Sequence, residues 1–188
     1  MHHFMPTALN DALDHLASRQ VKIVAGGTDF FPARPQGALQ SDLLDVTRID
    51  GLTGITKSSN GWRIGAATRW SDIFRTDLPA AFAGLQAAAR DVGSLQIQNA
   101  GTIAGNLCNA SPAADGVPPL LTLDAQVELC SVRGTRVLPL EDFITGVRRT
   151  AMEPDELVTA VLLPSPPAHV AGAFEKLGAR RYLVISLT

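Results

Sequence analysis

The run Gln98-Asn99-Ala100-Gly101-Thr102-Ile103-Ala104-Gly105-Asn106-Leu107-Cys108-Asn109-Ala110-Ser111-Pro112-Ala113-Ala114-Asp115 mixes small residues, side-chain amides and hydroxyls, with no charge before Asp115. A packed core segment would not carry so many hydrogen-bonding side chains, and a plain solvent loop would not carry so much Ala, Gly and Ile. The mixture suits backbone that lies close against a large polar ligand. Glycine lets the main chain approach a phosphate, whose charge exposed N–H groups then offset. A second small-residue loop, Ala25-Gly26-Gly27-Thr28-Asp29, comes earlier in the chain. Two such loops point to a clamp on a dinucleotide. Neither contains Lys or Arg, so N–H and hydroxyl groups must hold the anion. The chain has no GxGxxG turn opening a helix, which separates this pattern from a Rossmann site.

The elements that would position these loops can be read from periodicity. Leu9, Ala12, Leu13 and Leu16 share one face of a helix over residues 7–18, with Thr7 as its N-cap. Val21–Ala25 is a short strand running into Gly26-Gly27, and Leu43–Val46 is a buried strand. These make an α/β lobe over residues 1–51. From Leu52 the texture changes. Residues 61–66 read as a strand after the Ser58–Gly61 turn, and Pro79–Val92 is alanine-rich and helical with Pro79 near its first turn. Residues 125–132, 136–139 and 156–163 read as strands. Residues 52–167 therefore form a second, mainly antiparallel α+β lobe. Pro164, Pro166 and Pro167 break the chain at its edge. Residues 168–188 begin a further unit, with Gly172–Lys176 as a candidate strand and an apolar run at Val184–Thr188 that wants a partner to cover it.

Composition bounds the function. The 188 residues are 46% hydrophobic and 18% charged, which is globular rather than disordered. The formal charge of −2 gives no reason to expect a nucleic-acid partner. No apolar run reaches the length of a membrane span. Cys108 and Cys130 read as reduced thiols of a cytoplasmic protein, and two cysteines cannot hold an iron–sulfur cluster, which takes four. The histidines do not cluster, so neither a metal ligand nor a catalytic residue is assigned. Trp62 and Trp70 read as packing residues. Gln96 and Gln98 either line the second loop or face solvent, and Asp29 either contacts ligand or fixes its own turn.

Ile23-Val24-Ala25-Gly26-Gly27-Thr28-Asp29 and Gln96–Asp115 resemble the two FAD loops of the medium subunit of molybdenum hydroxylases, the xanthine dehydrogenase and aerobic carbon monoxide dehydrogenase type. Further similar segments follow in order: Ile64–Thr68 with Asp72, Pro118–Leu121, Leu123–Ala125, Arg149-Thr150, Pro154–Leu157 and Phe174–Arg181. The resemblance implies the two-lobed α+β FAD-binding fold of vanillyl-alcohol oxidase (PCMH) type, with FAD as cofactor. It implies cofactor contacts from Ile23, Val24, Ala25, Gly26, Gly27, Thr28 and Asp29, and from Thr102, Ile103, Ala104, Gly105 and Asn106, around the pyrophosphate and ribityl. Asn109, Asp115, Leu157, Val158 and Lys176 match further positions near the cofactor. Asp115 has a plain alternative as N-cap of a helix over 118–123, Leu157 and Val158 as strand core, and Lys176 as a surface lysine. The implied activity is that of an electron-transfer flavoprotein subunit. Electrons would come from [2Fe-2S] clusters on a small subunit, beside a large subunit carrying the molybdenum cofactor, and go to NAD+, a quinone or O2. Family members continue into a C-terminal domain beginning near Phe174, almost all of which this sequence lacks. That leaves a second reading, an assembly or interaction piece that binds FAD weakly or not at all. A stand-alone flavoenzyme of the same fold would need catalytic residues from such a domain.

Overall fold

The computed structural model describes residues 2–33, 41–178 and 186–187. The chain opens with β1 (His3–Phe4), α1 (Leu9–Ser18), β2 (Val21–Val24) and β3 (Asp42–Asp45). The three strands form a parallel sheet in the order β1-β3-β2, so each pair needs a crossover rather than a tight hairpin. The apolar stripe of α1 closes on this sheet through Ala12, Leu13 and Leu16. Thr7 does not cap the helix. Ala8 holds the N-cap position without a side-chain bond, and the Thr7 carbonyl accepts from the Asp50 N–H at 2.8 Å, tying the strand-to-helix turn to the next segment.

The second layer opens with the hairpin β4 (Ile55–Ser58) and β5 (Gly61–Gly65). A helical series follows: α2 (Trp70–Arg75), a 3-10 turn (Ala80–Phe82), α3 (Ala83–Asp91), α4 (Leu95–Ala100), α5 (Ile103–Asn109) and α6 (Val117–Thr122). Next come β6 (Gln126–Ser131), β7 (Gly134–Pro139), α7 (Leu140–Phe143), the small hairpin β8 (Ile144–Gly146) and β9 (Arg149–Thr150), and β10 (Leu157–Leu163). The sheet order is β4-β5-β10-β6-β7 with every pairing antiparallel, and β10, the last to arrive in sequence, is central. Its burial on both faces explains its apolar run, interrupted by Thr159 alone.

Two features of the sequence reading change here. The helix expected over 79–92 is split, because Phe82 sits at φ −90°, ψ 3° and ends a 3-10 turn before α3 begins. Gly172–Lys176 is not a strand. The segment lies against the 3-10 turn and α3, with the Gly172 N–H on the Ala80 carbonyl at 2.9 Å. Backbone meets backbone there: a Cβ on Gly84 would stand 2.7 Å from the Ala173 oxygen, and one on Gly172 would stand 2.5 Å from the Ala81 oxygen. Leu177–Gly178 (β11) then pairs with Ser186–Leu187 (β12). Val184, Ile185 and Thr188 of the terminal apolar run lie outside the described residues, as do Ala179, Arg180 and Arg181.

The larger core gathers Ile64, Trp70, Phe82, Leu107, Phe143 and Val161 between the antiparallel sheet and its helices. The smaller surrounds α1 and β3, and it includes Cys130 and Leu157 from the second sheet. The two lobes therefore share one apolar seam, and the space beside that seam has fixed walls. Trp62 packs edge-on to Phe82, ring centroids 5.6 Å apart. The Phe82→Ala variant should lose about 3–5 kcal/mol of unfolding free energy, measured by urea denaturation.

Candidate functional site

The two loops singled out in the sequence meet. Gly26 lies directly on the second: a Cβ there would stand 2.0 Å from the Ala100 carbonyl oxygen and 2.9 Å from the Gly101 Cα. Thr28 Oγ1 lies 3.5 Å from the place a Gly101 Cβ would occupy. The Trp70 ring supports both ends of the second segment, since a Gly116 Cβ would meet it at 2.4 Å and a Gly101 Cβ at 3.5 Å. Between the lobes runs an open cleft of about 1900 Å³. Ile23, Val24, Ala25, Gly26, Gly27, Thr28 and Asp29 line it from the first lobe. Thr102, Ala104, Gly105, Asn106, Asn109, Leu157 and Val158 line it from the second.

The first loop has the electrostatics expected of an anion cradle. Among the described residues, the N–H groups of Gly26, Gly27, Thr28 and Asp29 donate to no protein acceptor. Gly27 takes φ +68° between neighbours of negative φ, the alternation that turns successive N–H groups into one concavity. A Cβ on Gly27 would also meet the exposed Phe31 ring at 2.6 Å, but that ring can move, so the positive φ is what selects glycine.

The second segment behaves differently. The expected loop is two short helices, α4 and α5, meeting at Gly101-Thr102. Its amides are already used. The Ile103 N–H bonds the Thr68 carbonyl and the Ala104 N–H that of Ala66, while Gly105 N–H bonds Thr102 Oγ1 at 3.1 Å and Asn106 N–H the Thr102 carbonyl. These groups are not a free amide nest like the first loop. What α5 offers the cleft is surface and side chains: exposed Gly105, Asn109, Cys108 and Asn106, whose Oδ1 is buried without a hydrogen-bond partner. Burial pushes the Cys108 thiol up to about 12, so it stays neutral at physiological pH. Ile103 is fully buried and does not line the cleft.

Asp115 and Lys176 also lie outside the cleft lining. They pair with each other at 2.7 Å, both largely buried. Asp115 does not cap α6, whose N-cap is Gly116 without a side-chain bond. Gln98 is buried, and its Nε2 donates to the Arg90 carbonyl at 2.7 Å, while Gln96 is exposed. Leu157 and Val158 pair with β6 on one side only, because β5 joins β10 from Ala160 onward. Their other edge is left to the cleft.

Sequence reasoning missed several wall residues. Arg19 and Lys22 bring positive charge to the lining, which also includes Arg133, Met152, Glu153 and Asp155. Arg133, at the β6–β7 turn, holds Glu153 at 2.6 Å and Asp155 at 2.9 Å. Nothing local in the sequence signals that pairing, which spans twenty residues. Arg136 binds the buried Glu156 through both carboxylate oxygens, at 2.6 and 2.7 Å, and so fixes the segment leading into Leu157. No cluster of metal-ligating side chains occurs among the described residues, and no helix there is long and apolar enough to cross a membrane.

Residues 1–166 match the family described as the FAD binding domain in molybdopterin dehydrogenase, and the chain belongs to that family. Its fold is the two-lobed FAD-binding fold expected from the sequence, and its cofactor is FAD. The chain is 39% identical over 196 residues to the nicotinate dehydrogenase FAD-subunit of Eubacterium barkeri, covering 98% of this chain and 65% of that protein. It is 35% identical over 187 residues to the xanthine dehydrogenase FAD-binding subunit of Escherichia coli O157:H7, covering 95% of this chain and 63% of that one. Carbon monoxide dehydrogenase from Hydrogenophaga pseudoflava superposes with a TM-score of 0.87 at 26% identity, over 97% of this chain and 65% of that chain. The chain thus spans under two thirds of the length of these relatives.

The residues present fit such a cofactor. Four amides that donate to no acceptor among the described residues suit a diphosphate.

Two outcomes follow from this geometry. Gly26→Ala forces the loops apart and should cost about 1–3 kcal/mol of stability, read by denaturation, with loss of bound flavin read by absorbance. The Arg136 guanidinium holds the Glu156 carboxyl below its ordinary value of 4.5. A depressed carboxylate stabilises the fold fully above that ordinary value, and its contribution disappears as pH falls through the lower folded-state value. Glu156→Gln should therefore flatten the acid side of the stability–pH curve, as followed by thermal unfolding from pH 7 down to pH ~2.

Proposed function

We propose that this chain holds FAD across the interlobe cleft as the electron-transfer flavoprotein subunit of a molybdenum-dependent hydroxylase. The observation that carries the reading is the row of N–H groups at Gly26–Asp29 that have no acceptor among the described residues, set against the small-residue face of α5. The amides of Gly26, Gly27, Thr28 and Asp29, with the Thr28 hydroxyl, would bind the pyrophosphate. Fixed donors in a partly dehydrated cleft attract a diphosphate more strongly than the same donors in water. Thr102, Ala104 and Gly105 would present a surface low enough for the ribityl chain to pass. Asn106 and Asn109 would supply side-chain hydrogen bonds to it, and Ile103 would act from beneath by anchoring α5. Ile23, Val24 and Ala25 would form the first wall, and the unpaired edge of β10 at Leu157 and Val158 the second.

Asp115 and Lys176 enter this reading as a pair. Lys176 holds one carboxylate oxygen of Asp115, so the pair would support the cofactor site from outside the cleft lining. The pair also ties the segment after β10 to the loop after α5. When bound, the isoalloxazine accepts and passes on electrons, and the surrounding charge tunes its potential. This chain's residues bind and orient the group and keep water from the diphosphate. Supply of electrons from [2Fe-2S] clusters on a small subunit, hydroxylation on a molybdenum-cofactor large subunit, delivery to NAD+ or another acceptor, and a cytoplasmic setting are part of the proposal. Relatives named as medium chains of glyceraldehyde and carbon monoxide dehydrogenases support it.

The purified protein should be yellow, with flavin absorbance near one equivalent per chain. A colourless protein that takes up no added FAD would reduce the chain to an assembly piece. The isosteric Thr28→Val removes one donor and should weaken FAD binding about tenfold, measured by quenching of flavin fluorescence. Unchanged affinity would remove Thr28 from the cradle.

A further inference from the structure

We infer that Arg148, on the β8–β9 hairpin, is a positioning residue for the flavin cleft and acts through Asn109; the inference rests on the FAD reading above. Arg148 is exposed and distant in sequence from both loops. It adopts φ +57°, a left-handed conformation that L side chains disfavour. Such strain persists only where surrounding structure holds it, and the bonds that hold it here converge on the end of α5. The Arg148 N–H donates to the Ala110 carbonyl at 2.8 Å. Arg148 Nη1 bonds both the Asn109 carbonyl and Asn109 Oδ1. Ala110 is itself left-handed, at φ +43°. Two strained, non-glycine residues thus close on one another at the helix C-terminus.

Chemistry then decides which way the Asn109 amide is turned. A guanidinium only donates, so the amide atom that meets it is the carbonyl oxygen. The NH2, which has no acceptor among the described residues, is left as the donor of a side chain that lines the cleft. Arg148 thereby commits Asn109 to donating, which suits an acceptor on the ligand such as a phosphate oxygen, a ribityl oxygen or a flavin carbonyl. Without Arg148 the amide can flip and present its oxygen, which a phosphate oxygen or a flavin carbonyl would repel. The β8–β9 hairpin is therefore part of the cofactor site without touching it.

The test is a double-mutant cycle on the full chain: wild type, Asn109→Ala, Arg148→Ala and the double variant, with FAD dissociation constants from fluorescence quenching. Each single variant should bind FAD about tenfold more weakly, and the double no more weakly than Asn109→Ala alone. Arg148→Gly covers the case in which Arg148→Ala fails to fold. It relieves the left-handed strain while removing the guanidinium, so it should lose the same affinity with no fall in the thermal midpoint of the apoprotein. Wild-type affinity in Arg148→Gly, or losses that multiply in the double variant, overturn the inference. Failure of the wild type to bind FAD overturns the cofactor reading itself and this inference with it.

Discussion

Gly26 has no room for a side chain, because the Ala100 carbonyl oxygen lies 2.0 Å from where its Cβ would stand. That backbone-to-backbone approach sets the distance between the two lobes at the point where a diphosphate would sit. Gly27 beside it supplies the positive φ that aligns the following amides, and Gly101 opposite leaves space for Thr28. Enlarging any of these residues would widen the junction and scatter donors that must act together. Trp70 and the apolar seam through Cys130 and Leu157 hold the junction from below.

The two sides of the junction do different work. Among the described residues the first loop's amides have no acceptor, a cost that water or an anion would offset. The second segment satisfies its amides internally, through Thr68, Ala66 and Thr102, and so keeps α5 rigid at its start. Its far end is fixed by Arg148. One wall therefore supplies free donors, and the other supplies a stiff, shallow surface carrying a few amide side chains. This division explains how a loop pair without Lys or Arg can serve a doubly charged group. The cationic contribution comes from Arg19 and Lys22 farther along the cleft, since Arg133 is paired with Glu153 and Asp155.

Much of the fold was legible because its signals are local. The apolar face of α1, the strand pattern of β6 and the turn glycine at 61 each depend on neighbours within one element. The helix cap at Thr7 and the strand at 172–176 were misread because longer-range contacts override local preference: Thr7 answers to Asp50, and Gly172 answers to Ala80. The 98–115 stretch looked like loop because Asn, Gly and Thr have weak helical propensity. Contacts from the strand end at Ala66–Thr68 complete its first hydrogen bonds and make α5 form.

The residue types and order of Ala25–Asp29 and Gln98–Asp115 were enough to indicate the flavin-binding family, since glycine placement is a property of the backbone that survives in sequence. Which amides are free was decided only by tertiary structure. Each N–H is spent or spared according to whether another segment brings a carbonyl to it, as Thr68 and Ala66 do for α5 and nothing described does for the first loop. The same holds for the pairing of Lys176 with Asp115 and of Arg148 with Asn109. Those bonds join residues dozens of positions apart, and only the folded chain sets such distances.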